Sequence, residues 1–304
     1  MNRKALVELL SEHHHTGQYS YVLLDPLAVS EGSEHSALAS LKSLLGDGAM
    51  TRVTRPDLPL APGLHPVLVC LGSPGSVPDA ALLELTAQAA ERDMHRRKRQ
   101  VCGWLLSEAP PAAIAAHLTA LCRLPEASGA TAIHPVYEPL RLELLAAMFE
   151  RAEQGPWWPI ERWVFVTSGG SLASLKGRPR NQRGLPAGAI GVQQDAALIE
   201  AVLAAWRKLP ALPGAREIPP FAAVRAANHL DDARGLGLKA ERDILVMALH
   251  LLRLHPRLHT QKAVRDMIDM AIRQQRPLAE MFAHFTDSSW QRLVAATPQP
   301  EAYP

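Results

Sequence analysis

Several features are scarce in this 304-residue chain, and each absence argues against a class of protein. The three cysteines, Cys70, Cys102 and Cys122, lie far apart inside apolar runs, which speaks against a disulfide framework or a CxxC metal site. No apolar run approaches the roughly 18 residues of a membrane-spanning helix. A formal charge of +2 is too small to indicate a nucleic-acid or membrane partner. Because the start of the sequence carries no secretory cleavage signature, we expect a cytoplasmic protein.

What is present is typical of a folded protein with more than one lobe. Hydrophobic residues make up 47% and charged residues 20%, so disorder of the whole chain is excluded. Residues 1–170 hold 14 Lys and Arg against 18 Asp and Glu, a net charge of −4. Residues 171–304 hold 18 against 12, a net charge of +6. This asymmetry favours two lobes with different surfaces.

Strands and helices alternate in the first lobe. Apolar and β-branched runs bounded by Gly and Pro predict strands at 19–24, 66–71, 101–106, 131–137 and 163–167. Helical periodicity predicts helices at 36–45, 79–99, around Ile114 to Leu121, and at 140–152. The apolar run around Trp104 predicts a strand buried on both faces. The alternation indicates an α/β lobe with a mixed, partly parallel sheet.

The pattern changes after residue 170. Residues 171–191 are rich in Gly, Pro and basic residues without a sustained period, which predicts a linker. Beyond it only helical periodicity is found, at 195–209, 221–233, 239–254, 260–273, 278–285 and 288–295. We therefore predict an α/β lobe over 1–170, a linker over 171–191 and an all-α lobe over 192–304.

Two motifs have the residue types of a metal or phosphate site, but both are incomplete. The consecutive His13, His14 and His15 cannot converge on one ion without help from elsewhere in the chain. The turn at 71–76 follows a strand as a phosphate cradle does, yet it lacks the Lys-Ser/Thr of a P-loop and the third Gly of the dinucleotide fingerprint. We predict no metal and no cofactor.

The candidate catalytic residues are Ser107 and His117. Ser107 follows a strand without the GxSxG pattern that would expose its hydroxyl, and we expect it to cap a helix. His117 lies on an amphipathic helix with no identifiable Asp or Cys partner. We predict no catalytic centre, and a hydrolase acting through these two residues remains an alternative.

Two basic segments raise a nucleic-acid alternative. The first, residues 95–99, ends a predicted helix, where cations are favoured by the helix dipole. The second lies in the predicted linker and contains Lys176, Arg178, Arg180 and Arg183. Because no aromatic residue interleaves either run to stack a base, we predict no nucleic-acid partner.

Three tryptophans flank two prolines between the fourth and fifth predicted strands. Trp157 and Trp158 lie between Pro156 and Pro159, and Trp163 follows. Tryptophan is enriched at binding hot spots, but a core cluster that closes the lobe is equally compatible with this spacing. Both alternatives stay open at this point.

Several short motifs recur in an order that matches a known family. They are Leu24-Asp25-Pro26, Gly103-Trp104 with Ser107, a helix with His117-Leu118, Tyr137-Glu138-Pro139, Gly155-Pro156 before Trp163, and Leu236-Gly237-Leu238 before Asp243-Ile244-Leu245. Together they resemble the effector chaperone or adaptor family of type VI secretion systems, of the Tap/Tec type. The sequence departs from the family at Glu138, where Asp is usual, and at Pro135, where Arg is common.

The resemblance implies a non-enzymatic cytoplasmic protein of a Gram-negative bacterium. Such a protein binds a toxic effector and helps to load it onto the VgrG spike. The first lobe would contact the effector and the second lobe the spike. The motif positions are expected to be mainly structural, and the resemblance does not identify the contact residues.

Overall fold

In the computed structural model the chain divides into two compact units, Met1–Gln194 (unit 1) and Asp195–Pro304 (unit 2). The structure describes residues 3–28, 36–126, 129–180, 184–186, 188–209 and 217–298. Arg183 of the second basic segment lies outside these residues. Within the described ranges, no helix is both long and apolar enough to cross a membrane.

Unit 1 is built around a six-stranded sheet. The strands are β1 Tyr19–Leu24, β2 Met50–Arg52, β3 Val67–Gly72, β4 Val101–Ser107, β5 Arg123–Pro125, β6 Thr131–Ile133, β7 Arg162–Val166 and β8 Leu172–Lys176. The large sheet has the order β2-β3-β1-β4-β7-β8, and β5 pairs with β6 in a separate two-stranded sheet. The predicted strand at 131–137 is therefore shortened to β6, ahead of Pro135.

In the part of unit 1 that the structure describes, six α-helices accompany this sheet. They are α1 Arg3–His13, α2 Ala37–Leu45, α3 Ala80–Asp93, α4 Pro111–Leu121, α5 Pro139–Ala146 and α6 Ala189–Gln194. Asp79 caps α3 by accepting the Ala81 amide at 2.7 Å, a common way to satisfy a first-turn donor. Helix α3 ends at Asp93 and not at the predicted residue 99, so the basic run 95–99 lies outside it.

The prediction of a partly parallel sheet is wrong, because every described strand pair is antiparallel. Helix α3 does join two strands that run in the same direction, β3 and β4. However, β1 lies between them and pairs antiparallel to both. A crossover helix shows that two strands share a direction, not that they are neighbours.

The sheet is covered on both faces, which confirms the prediction for the strand that carries Trp104. On one face Val22, Trp104 and Val164 pack with residues of α1, α2 and α3. On the other face Leu105 and Trp163 pack with residues of α4 and α5. Every residue of β4 is buried, as expected for the central strand of a three-layer unit.

Gly103 allows a close approach between β4 and β7. A Cβ built on this residue would lie 2.6 Å from Trp163 Nε1 and 2.7 Å from Val164 O. Its φ is +152°, and the register of β1 against β4 shifts at the same place. The Gly of the Gly-Trp motif is thus required by packing.

The prediction of a linker over 171–191 is wrong for much of its length. Leu172–Lys176 forms β8, which pairs with β7 at the edge of the sheet. Ala189 begins α6, which also belongs to unit 1. The segment contains few apolar residues, and tertiary pairing with an apolar strand nevertheless makes it a strand.

The predicted charge asymmetry depends on where the boundary is drawn. With the observed division, residues 1–194 carry 18 basic and 18 acidic residues, a formal charge of zero. Residues 195–304 carry 14 basic and 12 acidic residues, a charge of +2. The four cations of the second basic segment belong to unit 1, so the two units do not have opposite net charges.

Unit 2 is helical wherever the structure describes it, as predicted. Its helices are α7 Ala196–Lys208, α8 Ala222–Gly235, α9 Glu241–Arg253, α10 Lys262–Ile272, α11 Leu278–Phe282 and α12 Asp287–Ala295. Gly237 follows α8 with φ +92°, a conformation that favours glycine. Buried Asp243 on α9 accepts the Leu278 amide at 2.8 Å and so anchors the start of α11.

Candidate functional site

Motif residues from two distant segments meet, together with Arg55 and Lys98, at one end of the large sheet. Strand β1 ends at Leu24 where β4 begins, and the Asp25 amide donates to Gln100 O at 2.8 Å. The Asp25 carboxyl interacts electrostatically with Glu138, Lys98 and Arg55. We call Asp25, Arg55, Lys98, Tyr137 and Glu138 the motif cluster.

Asp25 is the most enclosed carboxyl of the motif cluster, with 1% of its surface exposed. Its Oδ1 accepts the Leu27 amide at 2.9 Å, which holds the turn that contains Pro26. Burial raises the pKa of Asp25 to about 6; the Leu27 hydrogen bond opposes this rise and the charge of Glu138 adds to it. This carboxyl therefore titrates in the mildly acidic range instead of near pH 4.

Tyr137 is completely buried, and its hydroxyl accepts a hydrogen bond from Arg55 Nη1 at 2.7 Å. Burial raises the pKa of Tyr137 far above its ordinary value, so the phenol stays neutral. Arg55 is itself buried and pairs with Asp57 through two nitrogen atoms, one of them at 2.8 Å. The Arg55 hydrogen bond lowers the pKa of Asp57. A neutral buried phenol and a paired guanidinium hold this part of the fold together.

Glu138 does not cap α5, although it stands at the N-cap position. Its carboxylate accepts instead from Lys98 Nζ at 3.2 Å and from Arg141 Nε at 3.3 Å. Arg141 also donates to Gln193 O at 2.7 Å, which joins α5 to α6. The Glu138 side chain thus reaches two cations.

Ser107 and His117 do not hydrogen-bond to each other in the described part of the chain. The buried Ser107 hydroxyl donates to Pro159 O at 2.6 Å and accepts the Ala109 amide at 3.0 Å. It therefore closes a turn, and the prediction that it caps a helix is wrong, because Pro110 stands at the N-cap position of α4. Burial lowers the pKa of His117, which hydrogen-bonds to the backbone of Pro156. In a hydrolase the serine hydroxyl donates its proton to an imidazole, whereas the Ser107 hydroxyl donates to the Pro159 carbonyl.

One of the three consecutive histidines meets acidic residues from elsewhere. His15 Nε2 lies 3.5 Å from Glu161 and 3.9 Å from Glu108. Glu161 also accepts from Gln18 Nε2 at 2.6 Å and from the Glu108 amide at 3.0 Å. His15 and Glu108 are exposed, and such groups are common without an ion. The sequence alone does not predict this cluster, because Glu108 follows β4 and Glu161 precedes β7, far from His15 along the chain.

The first basic segment is largely used within the fold. Arg99 is buried and donates to the carbonyls of Val166 and Thr167, at 2.7 and 3.0 Å. Lys98 pairs with Glu138, and Arg96 lies 3.3 Å from an Asp93 carboxylate oxygen. These contacts hold the turn after α3 in place. The three cations therefore do not form a continuous basic surface that could bind a nucleic-acid backbone.

The second basic segment borders a cavity of about 560 Å³ together with residues from β7 and the loop before it. The side chains around it include Trp158, Glu161, Arg162, Lys176, Arg178 and Arg180. Trp158 precedes the second basic segment by a whole strand pair, so no local pattern predicts that an aromatic residue lies beside Lys176, Arg178 and Arg180.

The structure separates the three tryptophans. Trp157 and Trp163 are buried and meet edge to face with ring centroids 6.5 Å apart. Trp157 Nε1 donates to Ala152 O at 2.9 Å, and a Cβ on Gly155 would collide with its ring. Trp158 is only half-buried and lines the cavity. Two of the three thus belong to the core, and one borders a possible binding site.

The motif positions are mostly enclosed. Leu24, Gly103, Trp104, Ser107, Leu118, Tyr137 and Pro139 are buried, and Pro26, His117 and Glu138 are half-buried. Comparison of the chain with family models, curated proteins and solved structures finds no match.

Proposed function

We propose that this protein is a non-enzymatic adaptor of a type VI secretion system. It binds a toxic effector in the cytoplasm of a Gram-negative bacterium and helps to load it onto the VgrG spike. The observation that carries the proposal is the motif cluster. Asp25, Tyr137 and Glu138 belong to two of the short motifs that resemble the family, and they come together around Arg55 and Lys98. Convergence in space supports the view that these motifs are one structural unit.

Unit 1 also leaves large apolar side chains exposed, as a protein that covers apolar surface of a client requires. Leu60 is 97% exposed, Val77 is 80% exposed and Leu44 is 63% exposed. Leu60 follows a turn in the proline-rich segment between β2 and β3. We propose that these residues contribute to effector contact.

The two alternatives have less support. The Ser107 hydroxyl donates to Pro159 O, which does not favour a hydrolase that uses His117 as its base. The cations of the first basic segment are engaged within the fold, which does not favour nucleic-acid binding along 95–99.

Co-expression with a toxin and a spike protein encoded beside this gene tests the proposal. We expect the full-length protein to co-purify with the toxin and to raise its soluble yield. Leu60→Asp should reduce toxin recovery, whereas Lys4→Asp, an exposed change on α1, should leave it unchanged. Failure of the folded wild-type protein to retain either neighbour would contradict the adaptor function.

A fragment tests the assignment of the lobes. Residues 1–194 keep α6, whose Gln193 accepts from Arg141, whereas a cut near residue 185 removes this helix. We expect a monodisperse 1–194 fragment to bind the effector and lose the spike. If the fragment kept the spike and lost the effector, the lobe assignment would be reversed.

A further inference from the structure

The cavity beside the second basic segment concentrates positive charge. Four cations border it, and Glu161 is the one carboxylate among its lining residues in the described part of the chain. The cations are Arg162 on β7, Lys176 at the end of β8, and Arg178 and Arg180 just beyond it. The formal charge around the cavity is therefore +3, although unit 1 as a whole is neutral.

These four cations form no ion pair within the described residues. Some arginines elsewhere in unit 1 are paired, as Arg3 is with Glu84 and Glu91. Arg162 Nη1 donates only to a neutral group, Ser174 Oγ, at 2.9 Å. Burial lowers the pKa of Arg162, which reflects the cost of enclosing its charge. An anion in the cavity would offset that cost.

Glu161 forms no ion pair with these cations within the described residues, and its carboxylate accepts hydrogen bonds from residues that do not line the cavity. One oxygen accepts from Gln18 Nε2 at 2.6 Å and the other from the Glu108 amide at 3.0 Å. His15 lies 3.5 Å from the same carboxylate. Its negative charge is thus held by donors that do not border the cavity.

The cavity wall is built from backbone segments that are fixed to each other. The Gly177 amide donates to Glu161 O at 3.1 Å, and the Lys176 amide donates to Ala152 O at 3.3 Å. A Cβ on Gly177 would collide with Ile160 O and lie 2.8 Å from the Trp158 amide nitrogen. Arg162 and Lys176 therefore project from backbone segments that are held together before any ligand arrives, which reduces the entropic cost of binding.

We propose that this cavity binds a small polyanion of the phosphate class. Guanidinium groups match phosphate oxygens in pairs, and three arginines and one lysine suit a ligand with several negative charges. A cavity of about 560 Å³ has the size of a small-molecule site, and its concave form favours a compact ligand over an extended polymer. Trp158 supplies an aromatic wall for a ring attached to the phosphates. The site is independent of effector binding.

Calorimetric titration of the full-length protein tests the proposal. Inorganic tripolyphosphate, ATP without magnesium and citrate are compared at one ionic strength. We expect at least one phosphate compound to bind at least tenfold more tightly than citrate. Tighter binding of ATP, lost in Trp158→Ala, would identify a nucleotide as the ligand. Equal binding of ATP and tripolyphosphate would identify the phosphate chain itself.

The double variant Arg178→Gln/Arg180→Gln removes two exposed cations and should preserve folding. We expect it to weaken phosphate binding at least tenfold, while Arg97→Gln, an exposed change outside the cavity, has no effect. The proposal is overturned if neither phosphate compound binds, if citrate binds equally well, or if the folded double variant keeps full affinity. Tighter binding of a single-stranded oligonucleotide than of ATP would also overturn it in favour of a nucleic-acid site.

Discussion

The two units differ in how far apart along the chain their polar contacts reach. In unit 1, Arg55 bonds to Tyr137 and Gln18 bonds to Glu161 across the sheet. In unit 2 the longest described side-chain hydrogen bonds span 39 residues or fewer, between Arg234 and Asp195 and between Gln261 and Thr297. A sheet brings remote segments together, whereas a helical unit assembles from neighbours. Clusters of residues that are remote along the chain are therefore concentrated in unit 1.

The units also bury titratable groups of opposite kind. Asp25 in unit 1 is an acid whose pKa burial raises to about 6. His250 in unit 2 is a base whose pKa burial lowers to about 4, in contact with Phe282 and Trp290 at ring-centroid distances of 4.7 and 5.0 Å. Both sites favour the neutral form, so Asp25 and His250 should contribute to the pH dependence of stability with opposite signs.

The largest expected effect concerns the sheet core of unit 1. Trp104→Ala empties a buried site between β4 and α3 and removes the hydrogen bond from Nε1 to Thr86 Oγ1. We expect a loss of about 3–5 kcal/mol of unfolding free energy, measured by urea denaturation. Trp104→Phe serves as the milder control. If the thermal midpoint of Trp104→Ala lay within a degree or two of the wild type, Trp104 would not be a core residue.

The pH dependence of stability separates Asp25 from His250 by its sign. The folded state binds more protons than the unfolded state at Asp25 between about pH 4 and 6, so this residue makes stability fall as pH rises through that window. At His250 the unfolded state binds more protons between about pH 4 and 6.5, so stability falls as pH decreases. Each slope approaches about 1.4 kcal/mol per pH unit.

Asp25→Asn keeps an acceptor for the Leu27 amide and removes the titration. We expect its stability relative to the wild type to increase from pH 4.5 to 7 in urea denaturation. His250→Gln should instead gain relative stability as the pH falls from 7 to 4.5. If the unfolding free energy of a variant and of the wild type changed in parallel with pH, the replaced residue would not contribute to the pH dependence of stability.

Matched glycine substitutions compare the tolerance of the two units. Gly103→Ala forces a Cβ against Trp163 and Val164 O, and overpacking of this kind costs about 1–3 kcal/mol. Gly237→Ala meets only the flexible end of Ile272 at 3.3 Å, so its cost is mainly that of the left-handed φ, about 1 kcal/mol. Denaturation of both variants checks the order, and a larger loss at Gly237 would reverse the comparison.

The smallest expected effect is at Glu138. Glu138→Gln removes the charge that pairs with Lys98 and Arg141, both at least partly open to solvent. Such pairs contribute about 1 kcal/mol or less, and less at high salt. We expect a small loss of stability that 1 M NaCl reduces, together with a lower pKa of Asp25, since the charge of Glu138 raises it. The Asp25 titration is followed by NMR. An unchanged pKa of Asp25 in Glu138→Gln would show that the two carboxyls do not interact.

Local patterns determined most of the elements. Apolar runs bounded by turn residues predict β1, β3, β4 and β7, because a strand buried on both faces must be apolar throughout. Capping residues such as Ser36 and Asp79 mark the starts of α2 and α3, because their side chains satisfy the free amides of the first turn. The helical character of unit 2 follows from its periodicity.

Other features were decided only by the tertiary structure. Strand β8 is short and lies in a segment rich in Gly, Pro and basic residues, and its pairing with β7 at the sheet edge makes it a strand. The insertion of β1 between β3 and β4, which makes the sheet antiparallel, leaves no trace in the local pattern. The motif cluster and the cavity beside Trp158 likewise join residues that are remote along the chain. Periodicity specifies which face of an element is buried, but strand pairing is set by long-range contacts that no short segment encodes.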